Sequence, residues 1–317
     1  MTYPLRFHRI AVPKPWAGTQ LSGLFPDVAA ELPPGTGESI ELADLPPQTS
    51  VVANGEWRGK TIRELVTEHR AALVGELSDL PDFPLALKLL DTAEALSIQD
   101  HPGDVRENGK LVRRGKCECW LVLTAEPDAV IYQGLKPGVT PEQFEEALNS
   151  GNPTELLNAR EVKPGDYIYN EAGMVHAIGG GLALLEIQQN CPTTYRLWDF
   201  PRDKPRELHV RAGLDTAKFE LQLPPIRKTD ADDVLLQADG PFGVRSLRVN
   251  KARHLEKDWV GFTLVTCLSG DCEITGRARD NLQPARLKPG DTVLFPAEFN
   301  EFELYPSGWL ILSWSRE

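Results

Sequence analysis

Four side chains could together hold a divalent cation: Gln99 and His101 in SIQDHPGD, Glu118 in GKCECWLVL, and His176 in PGDYIYNEAGMVH. Two imidazole nitrogens and two oxygens suit zinc or another first-row divalent ion, with positions left open for water or a substrate oxygen. The run ALKLLDTAEALSIQ reads as a core strand. Side chains alternate faces along a strand, so Gln99 and His101 share one side and Ile98 and Asp100 take the other. The same parity groups Lys116, Glu118 and Trp120, and turns Cys117, Cys119 and Leu121 toward the opposite layer. Plainer readings stand beside these. A single strand histidine is more often a hydrogen-bonded structural residue. The Cys117/Cys119 pair lacks a second pair to complete a thiolate site, and free cysteine commonly fills cores. Gly179, Gly180 and Gly181 precede no helix start and no Lys-Ser/Thr, so they read as a tight turn rather than a phosphate loop.

The elements that must position these residues are mostly strands. Short β-branched or aromatic runs (TSVVAN, CWLVLT, AVIYQG, DYIYNE, LALLEIQQ, FTLVTCL, DTVLFPA, WLILSW) are punctuated by 26 glycines and 26 prolines. That is the pattern of an all-β sandwich or barrel. Helical spacing occurs in two places, near 61–77 (TIRELVTEHRAALVGEL) and 140–159 (TPEQFEEALNSGNPTELLNA), the second opening with Thr, Pro and an acidic turn. KPGDYIYNEAGMVHAI at 163–178 is echoed by KPGDTVLFPAEFNEFEL at 288–304. The echo implies two related β domains in tandem. The second copy has Asn300 near the place of His176 and nothing like Gln99–His101 upstream, so a metal belongs to the first. The prolines and charges of AKFELQLPPIRKTDADDV place the boundary there, giving expected domains of 1–216 and 217–317.

A net charge of −12 argues against nucleic acid, whose phosphates call for a basic face. A small anionic substrate then needs a locally basic pocket. No apolar run reaches the roughly 18–20 residues of a membrane span, and MTYPLRFHRIAVPKPW lacks the apolar region of a signal peptide. Five cysteines in 317 residues suggest reduced thiols rather than a disulfide framework. The expectation is a soluble, cytoplasmic protein with no membrane or nucleic-acid partner.

The order KLL…LSIQxHP, KxECW, KPGDxIYxxAGxVHAIGGG and TTYRLWDF resembles the short bacterial form of type I phosphomannose isomerase, a zinc-dependent enzyme family of cupin fold. VPKPWAGTQL, GTGESIEL and SVVANGEWRGKT support it, so the resemblance spans about residues 10–210. It implies a mainly β protein: a catalytic cupin jelly roll with helical insertions, followed by a degenerate cupin-like domain. It implies one zinc per chain on Gln99, His101, Glu118 and His176. Arg196, in TTYR, is similar to an arginine implicated in isomerisation, and Lys116 to the lysine before the zinc-binding glutamate. Ser97, Lys88 and Arg202 fall where the substrate phosphate is expected. Three positions depart from the pattern: Asp100 where a small or apolar residue is usual, Cys117 where Thr or Pro is common, and Glu171 where Pro is.

The reaction so implied moves a proton between C1 and C2 of mannose 6-phosphate and fructose 6-phosphate through an enediol(ate). It needs a base at carbon and stabilisation of charge on oxygen. Glu186, in LLEIQQN, is the candidate base; Lys116 is an alternative acid or orienting cation, and Asp199 a third possibility better suited to pairing with Arg202. Competing readings are a sugar-phosphate-binding cupin without turnover, a cupin enzyme acting on a related sugar, and an iron cupin oxygenase. A monomer or weak homo-oligomer is expected.

Overall fold

The computed structural model describes residues 3–77, 80–278, 281–306 and 308–317. It is mainly β, built as stacked pairs of antiparallel sheets rather than a closed barrel. The first sheet runs Ile10–Pro13, Thr36–Leu42, Leu85–Thr92, Leu182–Gln189, Glu118–Ala125, Asp166–Asn170, Arg227–Lys228. The second runs Leu157–Glu161, Val130–Leu135, His176–Ile178, Ile98–Asp100, Tyr195–Trp198. Between them lies a core in which alternate residues point inward, Leu90, Trp120, Val122 and Leu184 from one sheet meeting Ile131 and Ile178 from the other.

Strands from Asp233 onward form a second pair of sheets. The order Leu85–Thr92, Leu182–Gln189, Glu118–Ala125, Asp166–Asn170 recurs as Phe242–Val249, Gly308–Ser315, Thr263–Gly270, Thr292–Phe295. The facing four-stranded sheet, Arg253–Glu256, Glu301–Tyr305, Cys272–Ala278, Asn281–Leu287, likewise repeats the order of the first sandwich. The Lys-Pro-Gly-Asp echo is one turn built twice. Gly165 and Gly290 both have φ +88°, the left-handed geometry this turn requires after proline. In each copy the aspartate side chain accepts from the lysine amide at 3.1 Å.

The repeated sandwich has a different interior. Where the first sheet opposes Glu118 to Asn170, the repeat opposes Thr263 to Phe295. Where the first pairs Trp120 with Glu186, the repeat pairs Val265 with Leu312. Phe295, Phe299 and Phe302 pack edge to face there, with ring centres 5.2–5.3 Å apart. The polar end of the first sandwich is thus replaced by aromatic packing in the second.

A third core joins the sandwiches. Leu87, Leu89, Leu121 and Leu185 on the outer face of the first sheet meet Leu236, Val244, Leu264 and Ile311, with Cys117 and Cys119 in the same layer. Helix Ile62–Val74 adds Ile62, Leu65, Val66 and Leu73, and is started by a reciprocal Thr61/Glu64 capping box. The segment read as helical from Thr140 to Ala159 divides into three. Helix Pro141–Ser150 stops where Gly151 turns left-handed, a short 3₁₀ turn Pro153–Leu156 follows, and Leu157–Glu161 is already strand. Phe144 and Leu148 of that helix cover the outer face of the five-stranded sheet. No helix among the described residues is long and apolar enough to cross a membrane.

Phe299 is fully buried in the second sandwich. Phe299→Ala should lower unfolding free energy by about 3–5 kcal/mol, measured by urea denaturation, while metal content stays at the wild-type value. Loss of metal in a folded Phe299→Ala protein would contradict the separation of the two interiors.

Candidate metal centre and active site

Strand register assembles the site from both sheets of the first sandwich. On the five-stranded sheet Gln133 lies opposite His176, His176 opposite Gln99, and Gln99 opposite Arg196, and directly opposed residues share a face. On the facing sheet Gln188 lies opposite Glu118 and Glu118 opposite Asn170. The adjacent row is Lys88, Glu186 and Trp120. The polar ends of two strand rows therefore meet at one end of an otherwise apolar interior.

His101, Glu118 and His176 are each nearly inaccessible to solvent, and their ligand atoms lie within 4.8 Å of one another. His101 Nε2 is 3.3 Å from Glu118 Oε2, and His176 Nε2 is 3.1 Å from Oε1. The other ring nitrogens face carbonyls: His101 Nδ1 is 3.1 Å from Thr193 O, and His176 Nδ1 is 2.8 Å from Met174 O. Those carbonyls accept from a proton on each Nδ1, which turns both Nε2 atoms toward the carboxylate. Burial, with the Lys116 charge beside it, pushes His101 down to about 3, so its imidazole is neutral at ordinary pH. Two imidazole Nε2 atoms converging on one buried carboxylate make a donor set suited to a cation.

Lys116 Nζ supplies part of that charge, 2.9 Å from Glu118 Oε2 and 3.1 Å from His101 Nε2. Burial alone would raise the Glu118 carboxyl, but the adjacent Lys116 charge holds it well below the usual carboxylate range. Even so, neither Glu118 oxygen accepts a well-formed hydrogen bond among the described residues. The donor set fits a divalent metal, with Gln99 at its edge. The Gln99 amide nitrogen is 3.4 Å from His176 Nε2, and Ser97 Oγ donates to its oxygen at 3.0 Å. A hydroxyl can also accept, so Ser97 serves the flipped amide equally well.

Lys88 Nζ sits among three oxygen groups: Glu186 Oε1 at 3.0 Å, Gln188 Oε1 at 3.0 Å and Glu38 at 3.9 Å. Burial disfavours its charge, but Glu186 and Glu38 outweigh that and keep the ammonium protonated. Trp120 Nε1 donates to the other Glu186 oxygen at 3.1 Å. Arg196 shares the Gln99 row, with one guanidinium nitrogen bonded to Glu207 O at 2.7 Å. Arg202 stands apart from the cluster: its donors go to Asp199 at 3.0 Å, Glu94 at 3.1 Å and the carbonyl of Ala95. Asp199 is bound by both Arg202 and Arg206.

Two amides went unread in the sequence. Gln133 Nε2 donates to Asn170 Oδ1 at 2.9 Å, tying the row of His176 to the row of Glu118. Parity marks each as inward-facing, but only register shows that they meet. The departures also find places. Glu171 pairs with Lys218 at 2.7 Å on the surface, and the Cys117 thiol receives Ala172 N at 3.5 Å. Asp100 points away from the cluster beneath the short helix Val210–Thr216, where neither oxygen accepts a hydrogen bond among the described residues. Burial pushes its carboxyl up to about 8.

The profile of the "Phosphomannose isomerase type I, catalytic domain" family matches residues 36–127, which hold Lys88, Ser97, Gln99, His101, Lys116 and Glu118. The chain is 35% identical over 318 residues to mannose-6-phosphate isomerase ManA of Bacillus subtilis, covering 96% of each. It belongs to the type I phosphomannose isomerase family. Mannose-6-phosphate isomerase of Streptococcus mutans is another relative, 30% identical over 332 residues and 100% of both chains. The crystal structure of the Bacillus subtilis mannose 6-phosphate isomerase superimposes with a TM-score of 0.82 at 29% identity, over 98% of this chain and 99% of that one. Membership in this isomerase family makes the chain an enzyme, and the cupin-like double sandwich is the family's fold.

Two outcomes follow from the geometry. His176→Ala should lose most bound metal, by at least about tenfold in affinity, read by competition with a chromophoric chelator; unchanged affinity contradicts the cluster. A carboxyl raised to about 8 when folded, against roughly 3.9 when unfolded, destabilises the fold increasingly as pH rises between those values. The stability advantage of Asp100→Asn over wild type should therefore grow from pH 4 to pH 8, on the order of a few kcal/mol in all, by urea titration at each pH. A gap independent of pH contradicts the buried, unpartnered carboxyl.

Proposed function

We propose that this chain interconverts mannose 6-phosphate and fructose 6-phosphate through an enediol(ate), using one zinc ion held by Gln99, His101, Glu118 and His176. One observation carries the reading: the Nε2 atoms of His101 and His176 converge on the buried Glu118 carboxylate, in a chain that aligns end to end with ManA. Zinc bound there supplies a Lewis acid that polarises sugar oxygens. The protein's own groups supply the rest. Glu186 is the base that moves the proton between C2 and C1, its carboxylate oriented by Lys88 and Trp120. Lys116 is the cation beside the ligands and the alternative acid. Arg196, in the Gln99 row, sets a fixed positive charge against the developing enediolate oxygen.

For the phosphate, Lys88 lies on the seven-stranded sheet and Ser97 just before strand Ile98–Asp100 of the facing one, bonded to Gln99. Arg202 supports them through its bond to Ala95 O, two residues before Ser97. We assign residues 1–216 to the catalytic domain and 217–317 to the degenerate one, with Arg227–Lys228 crossing back to edge the first sheet. The substrate is a soluble sugar phosphate and the setting cytoplasmic.

Purified zinc-loaded protein should form fructose 6-phosphate from mannose 6-phosphate in preference to other sugar phosphates. Binding of mannose 6-phosphate with metal confirmed but no turnover would instead establish the non-catalytic cupin. Arg196→Ala should keep its metal and lose about 10²–10³ in kcat, followed by a coupled fructose 6-phosphate assay; near-wild-type kcat removes Arg196 from the reaction.

A further inference from the structure

The ligands His101 and Glu118 are separated in sequence by a hairpin, Val105–Glu107 and Lys110–Arg113, that projects from the sandwich. What fixes the spacing of the two ligands is the neck of that hairpin. Lys116 N donates to Pro102 O at 2.9 Å, and Gly115 N to Asp104 Oδ1 at 2.8 Å. The strands of the neck touch: a Cβ on Gly115 would lie 2.4–2.6 Å from backbone atoms of Pro102, Gly103 and Asp104.

The neck is held from outside by the second sandwich. Glu317, two residues beyond strand Gly308–Ser315, has a buried side chain that bridges two anchors. One carboxylate oxygen receives Arg114 Nε, whose guanidinium also pairs with Asp82. The other receives Gln189 Nε2 at 3.1 Å. Gln189 in turn donates to Asp104 Oδ1 at 3.0 Å and accepts from Cys117 N at 2.9 Å, so it grips both sides of the neck. Gln189 ends the strand that carries Glu186. The polar chain therefore runs from the metal-free sandwich into the segment that carries Lys116 and Glu118.

We propose that Glu317 is a positioning residue for the metal centre, holding Arg114 and Gln189 so that the hairpin neck keeps His101, Lys116 and Glu118 at ligand spacing. The inference rests on the assignment of those residues to a metal site. It gives the degenerate sandwich a part in the chemistry: it supplies the far end of a clamp rather than a ligand.

The test compares Glu317→Ala, Glu317→Gln and Phe299→Ala in the full chain. Zinc affinity is read by chelator competition without substrate, and kcat and KM with mannose 6-phosphate. Glu317→Ala should lose about tenfold or more in zinc affinity and lower kcat, with KM changed less than about twofold. Glu317→Gln, which keeps the shape and one acceptor but turns an amide donor toward the other partner, should recover part of the loss. Phe299→Ala, which weakens the same sandwich away from the neck, should bind zinc as wild type does. Wild-type zinc affinity in folded Glu317→Ala overturns the proposal, as does an equal loss in Phe299→Ala, which would show general destabilisation. If Glu317→Ala fails to fold, Glu317→Asp, one methylene short of its partners, takes its place. Because the affinity is measured without substrate, the clamp and the isomerase assignment stand or fall separately.

Discussion

Glu118 is a carboxylate enclosed by protein on every side, and an ion removed from water needs opposite charge within contact distance. Lys116, two residues earlier on the same face, gives one positive charge. The two histidines, each bonded through Nδ1 to a backbone carbonyl, turn their Nε2 atoms to the same anion. Much of the surrounding structure serves this arrangement. Gln133 and Asn170 join the two sheets beside it, Ser97 orients Gln99, and the Lys88–Glu186 pair balances its own charge one row inward. A site so arranged is preorganised for a cation.

The two sandwiches share one architecture, with a polar cluster inside the first and aromatic packing inside the second. Strand order and the Lys-Pro-Gly-Asp turn are shared, so the backbone could host the same cluster in both. Side chains decide otherwise. Thr263, Phe295 and Leu312 occupy the positions of Glu118, Asn170 and Glu186, and three phenylalanines packed edge to face fill the space. Filling that space apolarly avoids burying charge, at the loss of any site there. The outer faces of both sandwiches, with helix Ile62–Val74 between them, then bury a common core that holds the two against each other.

Much of this could be read from the sequence because strand parity and turn chemistry are local. Two-residue spacing put Gln99 with His101 and Lys116 with Glu118, and turned Cys117 and Cys119 toward what proves to be the inter-sandwich core. Repeated Lys-Pro-Gly-Asp exposed the tandem architecture because only one turn type satisfies it. Parity gives a face but not the partner across it, so the Gln133–Asn170 bridge was not legible. Asp100 was placed on the far face without showing that the space there lacks a donor. Arg202 is placed by contacts that the sequence does not show, its donors going to Asp199, Glu94 and the carbonyl of Ala95. The Glu317 clamp joins positions some two hundred residues apart and has no local signature at all.

The central claim is that a single metal ion among Gln99, His101, Glu118 and His176 is required for aldose–ketose isomerisation. It is tested most directly by titrating metal-stripped protein with zinc while following fructose 6-phosphate formation from mannose 6-phosphate. Activity should be absent at the start, rise in proportion to added zinc, and level off at about one equivalent per chain. Full turnover in protein shown to carry no metal would contradict the account.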